Sequence, residues 1–356
     1  MATQEDFPPD TTGLKVHQGE ESRAYKVRVN FPEDSLDMFG STPPSNGPWH
    51  TVVRVVPTFR AANLDATKPD EEQEWSGPPG SGFITDLLAP TGTSGQMPGT
   101  EPQLSVILTA AHVLLDAGNE AGMAHRVKIY TADGKMLVES NTESRQKMQC
   151  TFAVSAHCSA HSMHNPFWKP PSEFDYAAIY IDLGACFFPN ALHVDMSISA
   201  AQLTKYCDKS MMVAGYLNSG DGNDLYMAKG KACHLRGVIT PQLLDITTAQ
   251  PKAELLYHAA DTGNGQSGSP LYFKKGKFQW QAIAIHSGQS KSVVSEIKAH
   301  KEVLTKTHRT WVENVQHLKG FCNIGVALTS DIVKDILGWP RTRHDELSQA
   351  VGADAK

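Results

Sequence analysis

Asp261-Thr262-Gly263-Asn264-Gly265-Gln266-Ser267-Gly268-Ser269-Pro270 carries the strongest local signal in the chain. Three glycines give the backbone the freedom a tight turn demands, and they surround one serine. Pro270 then opens the run Pro270–Phe273, which reads as a strand and leaves no helix after the serine. A serine hydroxyl is a weak nucleophile unless a turn holds it exposed and backbone amides face the charge that develops on the attacked carbonyl. Gly265 and Ser267 are the natural oxyanion donors, each worth on the order of 3 kcal/mol in comparable sites. A strand rather than a helix after the serine is what an all-β protein would show there.

Upstream, Leu108-Thr109-Ala110-Ala111-His112-Val113-Leu114 places a histidine at the end of an apolar strand. Glu173-Phe174-Asp175-Tyr176-Ala177-Ala178-Ile179 places an acid at the entry to another. A lone histidine or aspartate of this kind is more often structural. The three segments together, in the order His112, Asp175, Ser267, supply a base, an orienting acid and a nucleophile.

Short β-branched or aromatic runs are separated by turn residues along most of the chain. They predict strands at 51–56, 82–85, 105–109, 126–130, 148–154, 176–181, 210–216, 225–235, 255–259, 270–273, 279–286 and 321–327. The absence of alternating helices argues against a parallel α/β sheet. Lys291–Leu318 reads as a charged helical insertion. Residues 329–337 carry an N-cap candidate, apolar positions at Ile332, Val333, Ile336 and Leu337, and Gly338 and Pro340 as stop signals. The segment 341–356 reads as a polar tail.

The chain has 356 residues, of which 40% are hydrophobic and 20% charged, with 28 glycines and 21 prolines. That is the composition of a turn-rich globular protein, neither disordered nor coiled coil. A formal net charge of −6 gives no general pull toward nucleic acid or anionic membrane, and no apolar run is long enough to span a bilayer. No nucleic-acid or membrane partner and a monomeric state are therefore expected. The first residues lack the pattern of a secretory signal, and the compartment stays open. Six cysteines without a CxxC pair argue for mostly free thiols rather than a disulfide scaffold. His157, Cys158, His161 and His164, with Cys150 nearby, form a dense cluster of metal-ligand types. Strand alternation would turn His157 and Cys158 to opposite faces, so no metal and no cofactor are expected.

Thr109-Ala110-Ala111-His112, Asp175-Tyr176-Ala177-Ala178-Ile179 and Gly265-Gln266-Ser267-Gly268-Ser269-Pro270 resemble the three signatures of the trypsin-like, chymotrypsin-fold serine peptidases. Within that clan the likeness is to the V8-like glutamyl endopeptidase group. No cysteine follows His112, Gln266 rather than aspartate precedes the serine, and Ser269-Pro270 follows the serine's glycine. The run from Asn323 to Leu337 resembles that group's last strand and closing helix. The likeness covers roughly residues 51–338.

This resemblance implies two six-stranded antiparallel Greek-key barrels. Residues 51–190 would form the first, and 191–328 the second with the 291–318 insertion. Residues 329–356 would be the C-terminal helix and tail, and residues 1–50 an N-terminal extension or propeptide. The resemblance also implies a serine endopeptidase acting on peptide or protein substrates. In that group a threonine before the serine and a histidine ending the next hairpin bind an acidic substrate side chain; here these are Thr262 and His286. Ser287 and Gly288 would offer backbone to an extended peptide. Glu at the cleaved position, with Asp second, is the expected preference. With Gln266 in place of aspartate, a salt bridge from a processed N-terminus to that position is not available. An α/β-hydrolase is disfavoured because it would need glycine at 269, a helix after the serine and the histidine last. A catalytically silent barrel of the same fold is the remaining alternative.

Overall fold

The computed structural model describes residues 14–18, 24–29, 48–60, 67–90, 103–116, 122–131, 136–141, 150–155, 174–181, 191–206, 209–218, 225–234, 254–258, 260, 262–275, 279–290 and 322–339. Lys291–Leu318, the tail 341–356, and His157, Cys158, His161 and His164 lie outside these residues.

The described chain is mostly β-strand in two large curled sheets, antiparallel but for short parallel contacts made by residues 192–194. The first has eight strands. Its path runs Met136–Asn141, Arg126–Tyr130, Val52–Arg60, Gly80–Pro90, Gln103–Thr109, Ala177–Ile181, Cys150–Val154, with Glu74–Ser76 paired to Val52–Arg60. Val52–Arg60 shows why these residues form a strand. Val53, Val55 and Phe59 are buried while Arg54, Val56, Thr58 and Arg60 are partly exposed, the period-2 pattern of a half-buried strand. Ala177–Ile181 is buried throughout, because it has a strand on each side and a helix over it.

The second sheet has nine strands. Six of them return on themselves: Leu225–His234, Ser210–Tyr216, Pro270–Lys275, Gln279–Ser290, Cys322–Ala327 and Leu255–His258, the last pairing back to the first. The first sheet shows no such closing pair among its described residues, although its end strands Met136–Asn141 and Cys150–Val154 lie near each other; a curled antiparallel β fold is observed, and of the two expected six-stranded barrels one ring is seen to close. Gln279–Ser290 lies between two cores. Ala282 and Ile285 join the large apolar cluster that also holds the first sheet, whereas Ile283 and Ala284 join the cluster inside the ring.

Three further findings correct the sequence reading. The region 1–50, expected as an N-terminal extension or propeptide with no strand foreseen, contains the strands Leu14–Gln18 and Ala24–Val29, which add to the second sheet against Leu225–Ala228. His112 sits not at a strand end but in the one-turn helix Ala111–Leu114 that follows Gln103–Thr109. The closing helix spans 330–339, running through Gly338.

That helix ties the two halves together next to Asp175. Ile332, Val333 and Ile336 are fully buried. The Tyr176 hydroxyl donates to Asp335 Oδ2 at 2.7 Å, and that of Tyr180 to the Ile336 carbonyl at 2.6 Å. Trp339 stacks on Tyr176 with ring centroids 5.7 Å apart. Burial, followed by the Asp335 charge, pushes the Tyr180 phenol well above its ordinary value, so it stays a neutral donor.

Candidate active site

Residues 263–269 form two back-to-back turns. Gln266 N–H donates to the Gly263 carbonyl at 3.1 Å, and Ser269 N–H to the Gln266 carbonyl at 3.0 Å. The third residue of each turn is a glycine at positive φ, 99° for Gly265 and 88° for Gly268, as type II turns require. A Cβ on Gly268 would lie 2.0 Å from the Ser81 carbonyl and 3.0 Å from the Ala110 amide nitrogen. Only glycine allows the serine turn to press this closely against the segment leading into His112. Ser267 occupies the corner of the second turn and is partly exposed.

The carbonyls of this loop are anchored one after another. Asn264 accepts from Asn218 N–H at 2.8 Å, Gly265 from the Ser81 hydroxyl at 2.9 Å, Gln266 from Ser269 N–H, and Ser267 from Ser81 N–H at 2.7 Å. In a planar trans peptide the N–H points opposite to the C=O. The N–H groups of Gly265 and Ser267 therefore face away from those anchors, and among the described residues neither donates to an internal acceptor. Two amides with no acceptor among the described residues, beside a partly exposed hydroxyl, are what an oxyanion site needs.

His112 Nδ1 lies 2.7 Å from Asp175 Oδ2, and the His112 backbone N–H donates to Asp175 Oδ1 at 2.9 Å. The Asp175 side chain is 0% exposed and that of His112 22%. The Ser287 hydroxyl donates a third bond to Asp175 Oδ2. Burial alone would push the Asp175 carboxyl up. The His112 charge and the hydrogen bonds from His112, Ser287 and the His112 backbone outweigh it and hold the group below its ordinary value. Burial would likewise push the His112 imidazole down, but the Asp175 charge and hydrogen bond raise it above 6.5.

The third segment is locked to the other two. His286 N–H donates to the Ser269 carbonyl and the His286 carbonyl accepts from Gly268 N–H, both at 2.7 Å. The pairing of Gln279–Ser290 with Cys322–Ala327 slips between His286 and Gly288, and the bulge falls on Ser287, whose hydroxyl reaches Asp175. Gly288 borders open space.

The structure thus brings His112, Asp175 and Ser287 into direct contact and ties the Ser267 turn beside them. Among the described residues, Ser267 Oγ makes no hydrogen bond with His112. Thr262 is half-buried. His286 is only 2% exposed, and its Nδ1 lies 3.2 Å from Nε2 of His258, which is wholly buried. Burial, then the charge of His112, pushes His286 down to about 4, and burial with His286 pushes His258 well below 6.5, so both rings are neutral at neutral pH. Sequence reasoning missed Ser81, His258 and the side-chain role of Ser287. The bulge and the cross-sheet contacts that give them meaning have no local signature.

No protein-family model matches the chain, and no curated protein matches it. Among solved structures the chain is similar to the protease Anisep from Arthrobacter nicotinovorans, at 12% identity over 68% of this chain and 85% of that one, with a TM-score of 0.39. It is similar to the HtrA-type protease AlgW with a decapeptide, at 13% identity over 78% of this chain and 59% of that one, with a TM-score of 0.37. It is also similar to the inactive form of the M. tuberculosis protease Rv3671c, at 16% identity over 67% and 78% of the two chains, with a TM-score of 0.33. These neighbours are chymotrypsin-fold serine proteases at low identity, and they lend no support to the narrower V8-like glutamyl endopeptidase group.

Proposed function

We propose that the protein is a serine endopeptidase in which Ser267 is the nucleophile, His112 the general base and Asp175 the orienting acid. The observation that carries this reading is the His112–Asp175 pair. A fully buried carboxylate holds Nδ1 at 2.7 Å and leaves Nε2 as the bare acceptor, beside a serine at the corner of a turn whose Gly265 and Ser267 amides meet no acceptor among the described residues. Substrate binding tightens the approach of Ser267 to Nε2, as catalytic hydrogen bonds do on forming the Michaelis complex.

In the first step the Ser267 hydroxyl proton passes to His112 Nε2 while Oγ bonds to the scissile carbonyl carbon. The carbonyl oxygen takes the electron pair and is held by the Gly265 and Ser267 amides. Asp175 stabilises the imidazolium. His112 then returns that proton to the leaving nitrogen as the C–N bond breaks, giving an acyl-enzyme and a free amine. A water molecule repeats the sequence on the ester, with His112 as base, and releases the acid and Ser267.

The substrate's cleaved-side residue is proposed to be Glu, with Asp second, held by Thr262 and His286 while Ser287 and Gly288 offer backbone to the extended chain. Support comes from the residue types, since a hydroxyl and an imidazole donate to a carboxylate. The neutral state of His286 makes this a hydrogen-bonded rather than an ion-paired pocket. Chromogenic peptides differing only at the cleaved residue, offered to the wild type and to Ser267→Ala, test both levels. Cleavage after Glu by the wild type alone supports the whole reading. Cleavage after another residue removes the pocket assignment, and no cleavage with no labelling of Ser267 by a phosphonofluoridate leaves a silent barrel.

A further inference from the structure

Ser81 lies in Gly80–Pro90, on the first sheet, and is wholly buried. Every polar group it has is committed. Its carbonyl accepts from the Thr109 hydroxyl at 2.7 Å, and its N–H donates to the Ser267 carbonyl at 2.7 Å. Its Oγ accepts from Tyr216 N–H at 2.9 Å, so its single hydroxyl proton goes to the Gly265 carbonyl, also 2.9 Å away. One residue therefore grips the carbonyls on both sides of Gln266, across the junction of the two sheets.

The grip matters because Gly265 cannot hold itself. Without a Cβ, both peptides that adjoin it rotate at little steric cost, and rotation would turn an oxyanion amide away. Restraint must come from hydrogen bonds. Gln266 supplies part of it from the opposite side. Its Oε1 accepts from Gly263 N–H at 2.9 Å, and its Nε2 reaches the Gly215 and Tyr226 carbonyls at 3.4 Å each. Among the described residues, Ser81 alone donates to the Gly265 carbonyl itself.

We propose that Ser81 is a positioning residue for the reaction, its hydroxyl locking the Gly265–Gln266 peptide, which joins the two peptides that carry the Gly265 and Ser267 N–H groups, so that both amides stay turned toward the oxyanion. This rests on the reading of Ser267 as the nucleophile. The test compares full-length wild type, Ser81→Ala, Ser81→Thr and Thr85→Ala. Thr85 is a control on the same strand, because its hydroxyl donates to the Val106 carbonyl at 2.8 Å and does not touch the loop. The readouts are kcat, KM, the inhibition constant of a peptide boronate, and thermal unfolding.

Ser81→Ala should lower kcat by roughly 10- to 100-fold, at the weaker end of what losing an oxyanion donor does, and weaken boronate binding in parallel. Its KM should move less than about threefold, since the lost interaction belongs to the transition state. Ser81→Thr restores the hydroxyl and should recover most of the loss. Thr85→Ala should melt earlier yet keep its kcat. Wild-type kcat and boronate affinity in Ser81→Ala, or an equal loss in Thr85→Ala, would overturn the positioning role. If Ser81→Ala does not fold, Ser81→Thr carries the test, and a folded Ser81→Thr with lost boronate binding counts against it. A wild type that neither turns over nor labels at Ser267 sinks the endopeptidase reading itself, and this inference with it.

Discussion

Two histidine–aspartate pairs in this molecule share almost the same geometry. His112 Nδ1 meets Asp175 Oδ2 at 2.7 Å while Oδ1 accepts a backbone N–H at 2.9 Å. His193 Nδ1 meets Asp86 Oδ2 at 2.7 Å while Oδ1 accepts the Val194 N–H at 2.9 Å. What differs is the surroundings. Asp175 is sealed from solvent and receives a third bond from Ser287, whereas the Asp86 side chain is 34% and that of His193 28% exposed. Water around Asp86 screens the pair and competes for the carboxylate, so the contact staples residues 192–194 to the Gly80–Pro90 strand and does little more. The Asp175 carboxylate is wholly buried, so solvent screens the pair far less, and the same geometry fixes a tautomer beside a partly exposed serine. The pairing distance is shared; the burial and the neighbours make the candidate site.

Amide replacements should separate the two pairs by the largest margin. Asp175→Asn keeps the shape but inverts the tautomer it selects, and kcat should fall on the order of ten-thousand-fold. Asp86→Asn should leave kcat within about twofold, as expected for a surface pair. Steady-state kinetics on the two variants settles the matter. Comparable small losses in both would mean that burial confers nothing special on Asp175.

A second contrast lies between His112 and the buried pair His258–His286, which has no carboxylate at hydrogen-bond distance among the described residues. A histidine held below 6.5 in the folded state is protonated more readily once unfolded, so it contributes stability above 6.5 that is lost as pH falls toward the folded value. For His286, with a folded value of about 4, that loss is about 3 kcal/mol between pH 6.5 and 4. His258 acts in the same direction. His112, raised, acts in the opposite one, its contribution being present below 6.5 and lost as pH rises through its folded value. Urea unfolding at pH 7 and pH 4.5 should show marked acid destabilisation in the wild type and a shallower dependence in His258→Gln. Asp175 stays ionised at pH 4.5 and does not confuse the result. An unchanged slope in His258→Gln would place the acid sensitivity elsewhere.

Both contrasts bear on what could be read from the chain. The strands Arg126–Tyr130 and Ser210–Tyr216 fall where their β-branched and apolar runs put them, because alternation and burial are local properties. The serine turn was legible for a similar reason, since Gly265 and Gly268 announce the positive φ that two successive turns need. Ser81 was not legible. Its partner Gly265 is 184 residues away, and nothing around Gly80-Ser81-Gly82 marks that contact. The hairpin Leu14–Gln18 and Ala24–Val29 was hidden in a polar region because an edge pairing needs backbone more than apolar side chains. The neutrality of His286 depends on burial against His258, a strand apart, and no residue type reports that.

The Asp175 charge should also set the pH profile of activity. The base must be unprotonated, so kcat/KM should rise with pH through the free-enzyme value of His112, and that midpoint should lie above 6.5 because of Asp175. In Asp175→Asn the charge is gone and burial remains, so the residual activity should titrate at a lower pH than wild type. An acid limb unmoved by the substitution would mean that the titrating group is not the Asp175-paired His112.

The smallest effect belongs to the surface pair and concerns stability alone. Asp86 joins His193 to the Val194 backbone at the point where the chain leaves the first sheet for the second, with a Thr85–Leu192 bridge beside it. Replacing Asp86 by alanine removes one screened ion pair and one backbone acceptor that water can replace. The loss should be about 1 kcal/mol or less, and it should shrink further in high salt, which weakens the ionic part but not the bridge. Urea unfolding of wild type and Asp86→Ala at low and high salt measures both. A loss of several kcal/mol insensitive to salt would show that Asp86 behaves as a buried structural group, and the difference between the two histidine–aspartate pairs would then have to be sought in Ser287 and the Ser267 turn rather than in exposure.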